Sequence, residues 1–230
     1  MRRFILPAVV ALVLVPSERA FSLFGVGIYG TSDQLSVDGW SDSRFNGVVT
    51  LTGNPFEGAL GVGGFLYIDA IPFVDLEASF EAAGQEYEFD FGNQFATLSQ
   101  NFGWGRLSTY ITLRRKLFGF GVPLLGGIKL HLGGGINNHN VTPLASIGMV
   151  EQLMGGDLQA SFDPDDLGNE LTEYLKNNRI EASGYHVQAG AQIKLLALNA
   201  FVNYRVTMAT DVVPGADSFS SVWLGLAFGL

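Results

Sequence analysis

The sequence predicts an all-β fold, an eight-stranded antiparallel up-and-down transmembrane β-barrel, with two short helices inserted in the long loop between strands 5 and 6. Eight segments of about 8–12 residues, the length that crosses a bilayer at a tilt, alternate large apolar residues with small or polar ones. Only 15% of the 230 residues are charged and 30 are glycine, whereas soluble domains carry roughly a quarter charged residues. Beyond its beginning the chain has no apolar run of about 18 residues, so alternation along strands is the remaining way to face lipid.

The beginning of the chain predicts export. Positively charged MRR precedes the apolar stretch FILPAVVALVLVP, the pattern of a signal peptide, which we assign to residues 1–22. The alternative is a membrane anchor kept at the N-terminus. The barrel domain then covers residues 23–230, with a helical insertion at about 140–180. Because the chain has no cysteine, its strands rather than disulfides must stabilise it.

The third predicted strand shows two unlike faces. One face is apolar and consists of Val74, Leu76, Ala78, Phe80 and Ala82; the other is polar and consists of Asp75, Glu77, Ser79 and Glu81. The other seven predicted strands begin near Phe24, Ala59, Gly105, Gly127, Gly184, Leu198 and Ser221. We expect the apolar faces to contact lipid and the small or polar faces to line the interior of the barrel.

The predicted connections alternate between long and short. Long segments lie at roughly 31–57, 86–104 and 138–182, whereas the connections at roughly 69–72, 116–125 and 196–197 are short. An even number of strands places both chain ends at the rim with short turns, as in bacterial outer-membrane barrels. A secreted lipocalin-like barrel is an alternative, in which the same apolar faces would point inward around a ligand.

The signal peptide, eight alternating strands, unequal loops and final segment SVWLGLAFGL together resemble the small outer-membrane barrel superfamily typified by the OmpA and OmpX barrels. The resemblance covers nearly the whole mature chain and implies a Gram-negative outer membrane, but it transfers no functional residue. It also implies that the barrel assembly machinery reads the C-terminal strand, Ser221 to Leu230. The chain departs from the family at Leu230, where a final aromatic is usual, and carries Phe228 two residues earlier on the same face.

Charged residues on the inward faces predict a lumen charge network. Its expected members are Asp75, Glu77, Glu81, Arg106, Arg114, Lys129, Lys194 and Arg205. Buried charges are costly unless paired, so we favour ion pairs that fill the lumen over a charged constriction for ions. The expected lumen aromatics are Phe65, Tyr67, Tyr110, Phe201 and Trp223. The interior of an eight-stranded barrel is barely wide enough for its own side chains, which argues against a general porin.

The segment between predicted strands 5 and 6 carries two helix-start signals. Thr142 before Pro143 and Asp163 before Pro164 predict helices at about 143–155 and 164–177. The three histidines, His131, His139 and His186, are expected at different depths or in a loop, and no catalytic motif accompanies them. We therefore predict no catalytic residue, no cofactor and no metal site.

These features favour a non-enzymatic outer-membrane barrel with a structural or surface-interaction role. The expected partners are outer-membrane lipids, the assembly machinery and a surface partner of the 138–182 loop, and no nucleic acid is expected. The alternative is a narrow channel or transporter for small ions or small apolar molecules, which the inward aromatics would line.

Overall fold

The computed structural model describes residues 24–69, 74–122 and 125–229. The predicted signal peptide at residues 1–22 and the last residue, Leu230, lie outside this part of the chain. Within it, no helix combines the length and the apolar character needed to cross a bilayer.

The described residues form one sheet of ten antiparallel strands. They are β1 (Phe24–Val37), β2 (Trp40–Arg44), β3 (Val49–Gly53), β4 (Phe56–Ile68), β5 (Asp75–Gly92), β6 (Thr97–Val122), β7 (Gly126–Val141), β8 (Ile180–Leu195), β9 (Leu198–Val213) and β10 (Ala216–Gly229). Two helices, α1 (Ile147–Leu153) and α2 (Pro164–Asn177), lie between β7 and β8.

Eight of these strands close into a ring. Its order is β5, β4, β1, β10, β9, β8, β7 and β6, and β6 pairs back with β5. The hairpin β2–β3 stands beside the ring and pairs through β3 with the end of β5. The predicted all-β, antiparallel, up-and-down ring is confirmed, and the hairpin adds two strands that the sequence did not predict. We call the end of the ring with this hairpin and the helices the upper end.

The helices require two corrections. They lie between β7 and β8 of the ten strands, not between strands 5 and 6. The numbers differ because the prediction omitted the two strands of the β2–β3 hairpin. The first helix begins at Ile147 rather than near Pro143. Thr142 does not cap it, because the Thr142 hydroxyl accepts a 2.7 Å hydrogen bond from the Gly105 N–H at the neighbouring strand. Asp163 does cap α2, accepting a 2.9 Å bond from the Asp165 N–H.

The ring closes with a stagger of ten residues. From Leu113 the paired residues can be followed from strand to strand around the ring in both directions. One direction ends at Phe24 of β1 and the other at Gln34 of β1, ten residues further along the same strand. With ordinary strand spacings this stagger corresponds to strands tilted by about 40° and a backbone radius of about 8 Å. Such a cylinder holds side chains and little else.

The strands are longer than predicted. The segments 86–104 and 116–125, predicted as connections, are largely strand, because β5 and β6 stay paired from Asp75–Arg114 up to Gly92–Thr97 and β6 continues to Val122. The segment 31–57 likewise contains the end of β1 and the β2–β3 hairpin. The connection between β5 and β6 is a turn of four residues, 93–96.

Strand β5 shows why the strands extend beyond their predicted ends. Along this strand the polar and apolar faces change places: the inward face is polar in the lower half and apolar in the upper half. In its lower half the acids Glu77 and Glu81 point inward and are fully buried, while Phe80 points outward and is exposed. From Tyr87 upward the inward residues are aromatic, and Tyr87, Phe89 and Phe91 are buried. The outward residues there are acids: Glu86, Glu88 and Asp90. The lower half thus suits a lipid surround and the upper half suits water.

The upper ends of the ring strands, the hairpin and the helices share one hydrophobic core. We call it the cap core; it consists of Val37, Val49, Leu51, Phe56, Ala59, Tyr87, Phe89, Phe91, Leu98, Phe102, Trp104, Val141, Ala145, Ile147, Val150, Leu158, Leu167, Leu171, Leu175, Ala209, Val212, Val213 and Phe219. Hydrogen bonds tie its parts together, since Trp40 Nε1 donates to Ala145 O at 3.1 Å and Asn93 Nδ2 donates to Leu158 O at 2.9 Å. The cap core fills the upper mouth of the ring.

Candidate functional site: the interior of the barrel

The interior of the ring has two unlike walls. Strands β5, β6 and β7 supply most of the inward charges and histidines, whereas β1, β4, β9 and β10 supply a cluster of aromatic rings. Alternation along each strand turns every second side chain inward, and these inward side chains are the buried ones. The interior is therefore built from the polar faces that the sequence showed.

An upper charge cluster lies just below the cap core. Arg106 donates from Nε and Nη2 to Asp33 Oδ2 at 3.1 and 2.7 Å, and its Nη2 also bonds Glu81. Arg205 Nη1 lies 3.5 Å from the other oxygen of Glu81. All four side chains are shielded from solvent. Two acids thus face two bases, and the cluster is formally neutral.

A lower charge cluster lies near the opposite rim. Arg114 pairs with Glu77 and with Asp69, each at 3.0 Å. Lys129 pairs with the other oxygen of Asp69 at 3.1 Å and with Asp75. Each base therefore serves two carboxylates. Shared partners of this kind lower the cost of burying charge, which is high for a single unpaired group.

Gln188 connects the two clusters. Its amide Nε2 donates to Glu77 Oε1 at 3.2 Å, and its Oε1 accepts from Arg205 Nε at 3.3 Å. The lumen charges of the two levels thus form one continuous chain, from Asp69 at the lower rim to Asp33 below the cap core. Such a network fixes the orientation of every member because each has at least one bonded neighbour.

The structure brings together seven of the eight predicted network residues. The exception is Lys194, which is half-buried and has no carboxylate within 4.0 Å among the residues described. The prediction missed Asp33, Asp69 and Gln188. Asp33 lay in a segment predicted as a loop, and continuing the alternation of β1 past Tyr29 would have placed it inward.

The aromatic wall contains four of the five predicted lumen aromatics. Phe65 and Phe201 meet edge to face with centroids 5.1 Å apart, and Tyr29, Tyr67 and Trp223 pack around them. Tyr110 lies apart from this cluster, beneath the Arg205 guanidinium at 3.8 Å from its ring centroid, an ordinary cation–π arrangement.

Glycines on neighbouring strands make room for these rings. A Cβ added to Gly25 would lie 2.5 Å from the Tyr67 ring, and a Cβ added to Gly27 would lie 2.5 Å from the Phe65 ring. Because real Cβ atoms do not approach so closely, no other residue fits at these positions without moving the rings. The glycine-rich inner faces of β1 and β4 are thus part of the packing of the aromatic wall.

The histidines are all buried inside the ring. His139, predicted in a loop, lies in β7, because that strand continues to Val141. Its Nδ1 is 2.7 Å from Ser108 Oγ on β6, and its Nε2 is 2.9 Å from Asn137 Oδ1. The sequence alone could not predict this Ser–His contact, because it depends on the pairing of Ser108 with His139 between β6 and β7. Both side chains are about 1% exposed, so the pair is shielded from solvent. Residues 24–69, 74–122 and 125–229 contain no group of three or more metal-ligating side chains placed to hold an ion.

Comparisons with known proteins find solved structures that align with most of this chain at low sequence identity. No protein-family model and no curated protein sequence matches the chain. The outer membrane protein OprG of Pseudomonas aeruginosa is similar, with 13% identity, a TM-score of 0.45, and coverage of 92% of this chain and 96% of that one. Neisserial surface protein A has 11% identity and a TM-score of 0.42 over 91% of this chain and 98% of its own. Ail, the attachment invasion locus protein of Yersinia pestis, has 10% identity and a TM-score of 0.40 over 90% and 97%.

Proposed function

We propose that the chain is a non-enzymatic β-barrel of the bacterial outer membrane, with a structural or surface-interaction role and a lumen closed to ions. The supporting observation is an apolar belt around the ring. The belt consists of Val26, Ile28, Leu60, Val62, Leu66, Phe80, Ile111, Leu113, Leu130, Leu132, Ile136, Tyr185, Val187, Ile193, Val202, Tyr204, Leu224, Leu226 and Phe228, which are 44–74% exposed.

Every ring strand contributes to the apolar belt, so the belt is continuous. Contiguous apolar patches of more than a few hundred Å² mark interaction or membrane surfaces on proteins. A soluble lipocalin-like barrel requires the reverse arrangement, with its apolar faces around a ligand and its polar faces in water. Here the charges are inside and the large apolar side chains are outside, which favours lipid as the surround.

The interior supports a closed barrel rather than a channel. The two charge clusters and the aromatic wall occupy the lumen, and the cap core covers its upper mouth. The upper surface carries the outward acids of β5 and the helix α2, which suits a surface-interaction role. That the assembly machinery reads Ser221 to Leu230 and that the 138–182 segment binds a partner remain predictions.

The membrane location is tested by single-cysteine labelling, which has no background because the chain contains no cysteine. The full chain is folded into phosphatidylcholine vesicles with a nitroxide on Leu226→Cys in the belt or on Asp90→Cys above it. We expect the first label to collide with oxygen and the second with a water-soluble nickel complex. Equal exposure of both labels to the nickel complex would refute the membrane location.

The closed lumen is tested by planar-bilayer recordings of the same protein. We expect no current steps above those of the bare bilayer, because the charges are paired and the mouth is covered. A steady, ion-selective conductance that changes in Glu77→Gln would replace the closed barrel with the narrow-channel alternative.

A further inference from the structure

A groove opens on the outer face of the ring, at the upper border of the apolar belt. Its volume is about 580 Å³, within the range of about 300–1,000 Å³ for ligand pockets. Gly84 of β5 and Gly105 of β6 are paired directly across the two strands and both line the groove. Leu60 and Leu107 stand at its sides. The groove exists because two paired residues both lack a side chain.

Packing within the chain does not require glycine at Gly105. A Cβ there would meet only Ala83 O, at 3.6 Å, which is an ordinary contact. The interior glycines differ, since a Cβ on Gly25 or Gly27 would lie 2.5 Å from an aromatic ring. The space over Gly105 is therefore open to a molecule from outside the chain.

The groove changes from apolar at β4, β5 and β6 to polar at the side formed by β7 and the residue before β8. Asn140, Thr142 and Arg179 line that side. Arg179 is exposed, and no described carboxylate, including that of nearby Glu181, lies within 4.0 Å of its guanidinium. An unpaired arginine at the border between an apolar surface and water offers bidentate hydrogen bonds to a phosphate.

We propose that this groove binds one phosphate-bearing membrane lipid, with an acyl chain over Gly84 and Gly105 and the phosphate at Arg179. The occupant comes from the bilayer because Leu60 and Val62, which belong to the apolar belt, also line the groove. Lipid chains fill any depression on a surface that faces hydrocarbon. The proposal rests on the placement of the belt in lipid proposed above.

Native mass spectrometry of the full chain with two lipids tests the site. Dioleoylphosphatidic acid and dioleoylglycerol have the same acyl chains, and only the first carries a phosphate. We expect the wild-type chain to bind phosphatidic acid about tenfold more tightly, the effect of one charge-assisted contact. Gly105→Leu fills the groove and should weaken binding of both lipids, whereas Arg179→Gln should remove only the preference for phosphatidic acid.

Two matched variants control for nonspecific effects. Gly103→Leu adds the same side chain to the next outward position of β6, where a Cβ has no neighbour within 4 Å. Lys176→Gln removes an exposed cation from α2. Both should bind the two lipids as the wild-type chain does.

Three outcomes would overturn the lipid site: unchanged lipid binding in Gly105→Leu, an unchanged preference in Arg179→Gln, or equal losses in the control variants. If Gly105→Leu converts a dimer to a monomer without a change in lipid binding, the groove is an interface between two copies of the chain. These failures are distinct from failure of the proposed function, in which the wild-type chain does not insert into vesicles in the labelling assay.

Discussion

Arg114→Gln tests whether the lumen charges stabilise the barrel. The substitution removes the cation that Glu77 and Asp69 share at 3.0 Å. Among residues 24–69, 74–122 and 125–229, Asp69 keeps Lys129 at 3.1 Å, whereas Glu77 keeps only the Gln188 amide at 3.2 Å. The main consequence is therefore one buried carboxylate without a cation.

The expected loss follows from this geometry. Two unit charges 3.0 Å apart attract by about 5.5 kcal/mol at an effective dielectric constant of ~20. Removing one partner of a buried pair costs about 3–5 kcal/mol, and we expect the free energy of unfolding to fall by that amount. Glu77→Gln should cost less, because Arg114 keeps Asp69. The double variant Glu77→Gln/Arg114→Gln should regain part of the loss, because no unpaired carboxylate remains.

Urea unfolding of the barrel in lipid vesicles, followed by tryptophan fluorescence, measures these differences. Arg44→Gln is the matched control, since its ion pair with Asp42 is 3.0 Å long but about half exposed. Exposed pairs contribute about 0–1 kcal/mol, so this variant should unfold close to the wild-type midpoint.

The reasoning is wrong if Arg114→Gln unfolds within about 1 kcal/mol of the wild-type chain, well below the loss expected for a buried pair. A simultaneous change in single-channel conductance would show that water already solvates these charges and that the interior is a passage.

Three further predictions concern the belt, the aromatic wall and the cap core. Leu226→Arg should lower the unfolding free energy in vesicles by about 2–4 kcal/mol, while Asn101→Arg, outward on β6 above the belt, should have little effect; equal losses would contradict the belt. Gly63→Val should lower the free energy of unfolding by about 1–3 kcal/mol in the same assay, because a Cβ there would lie 2.4 Å from the Tyr29 ring. Wild-type stability of this variant would show that the Tyr29 ring does not pack against Gly63. Leu171→Ala should destabilise the cap core by about 2–5 kcal/mol, seen as faster amide hydrogen exchange in α2 with protected ring amides; uniform acceleration would mean that cap and ring unfold together.

Period-2 alternation predicted the ring because lipid and interior impose opposite demands on successive residues. The same rule missed the upper half of β5, where Tyr87 and Phe89 point inward and Glu88 points outward. The period continues there, but the polarity of the two faces is reversed. In the proposed membrane location, water replaces lipid outside this half, and the cap core replaces the polar lumen inside it. A search for apolar residues on one fixed face therefore stops before the strand ends.

The charged lumen was predictable as a set of residues and not as a set of pairs. The inward acids and bases follow from alternation, but the register decides that Arg114 pairs with Glu77 while Arg106 bonds Asp33. Asp69 directly follows β4, and continuing the alternation past Tyr67 would have placed it on the inward side, but only the register shows that it lies between Arg114 and Lys129. The same holds for the Ser108–His139 contact, which needs two strands in one register.

In the proposed membrane location, the reversal of faces along β5 has a consequence for how deep the protein sits in the bilayer. A vertical displacement by two residues is about 5 Å at a strand tilt of about 40°. Sinking by that distance would bring Glu86 toward hydrocarbon, and rising would lift Phe80 toward water. Both movements are unfavourable, so the reversal of faces on β5 resists a shift of the ring in either direction. In membranes of different thickness, the surrounding lipid must therefore stretch or compress to match the protein.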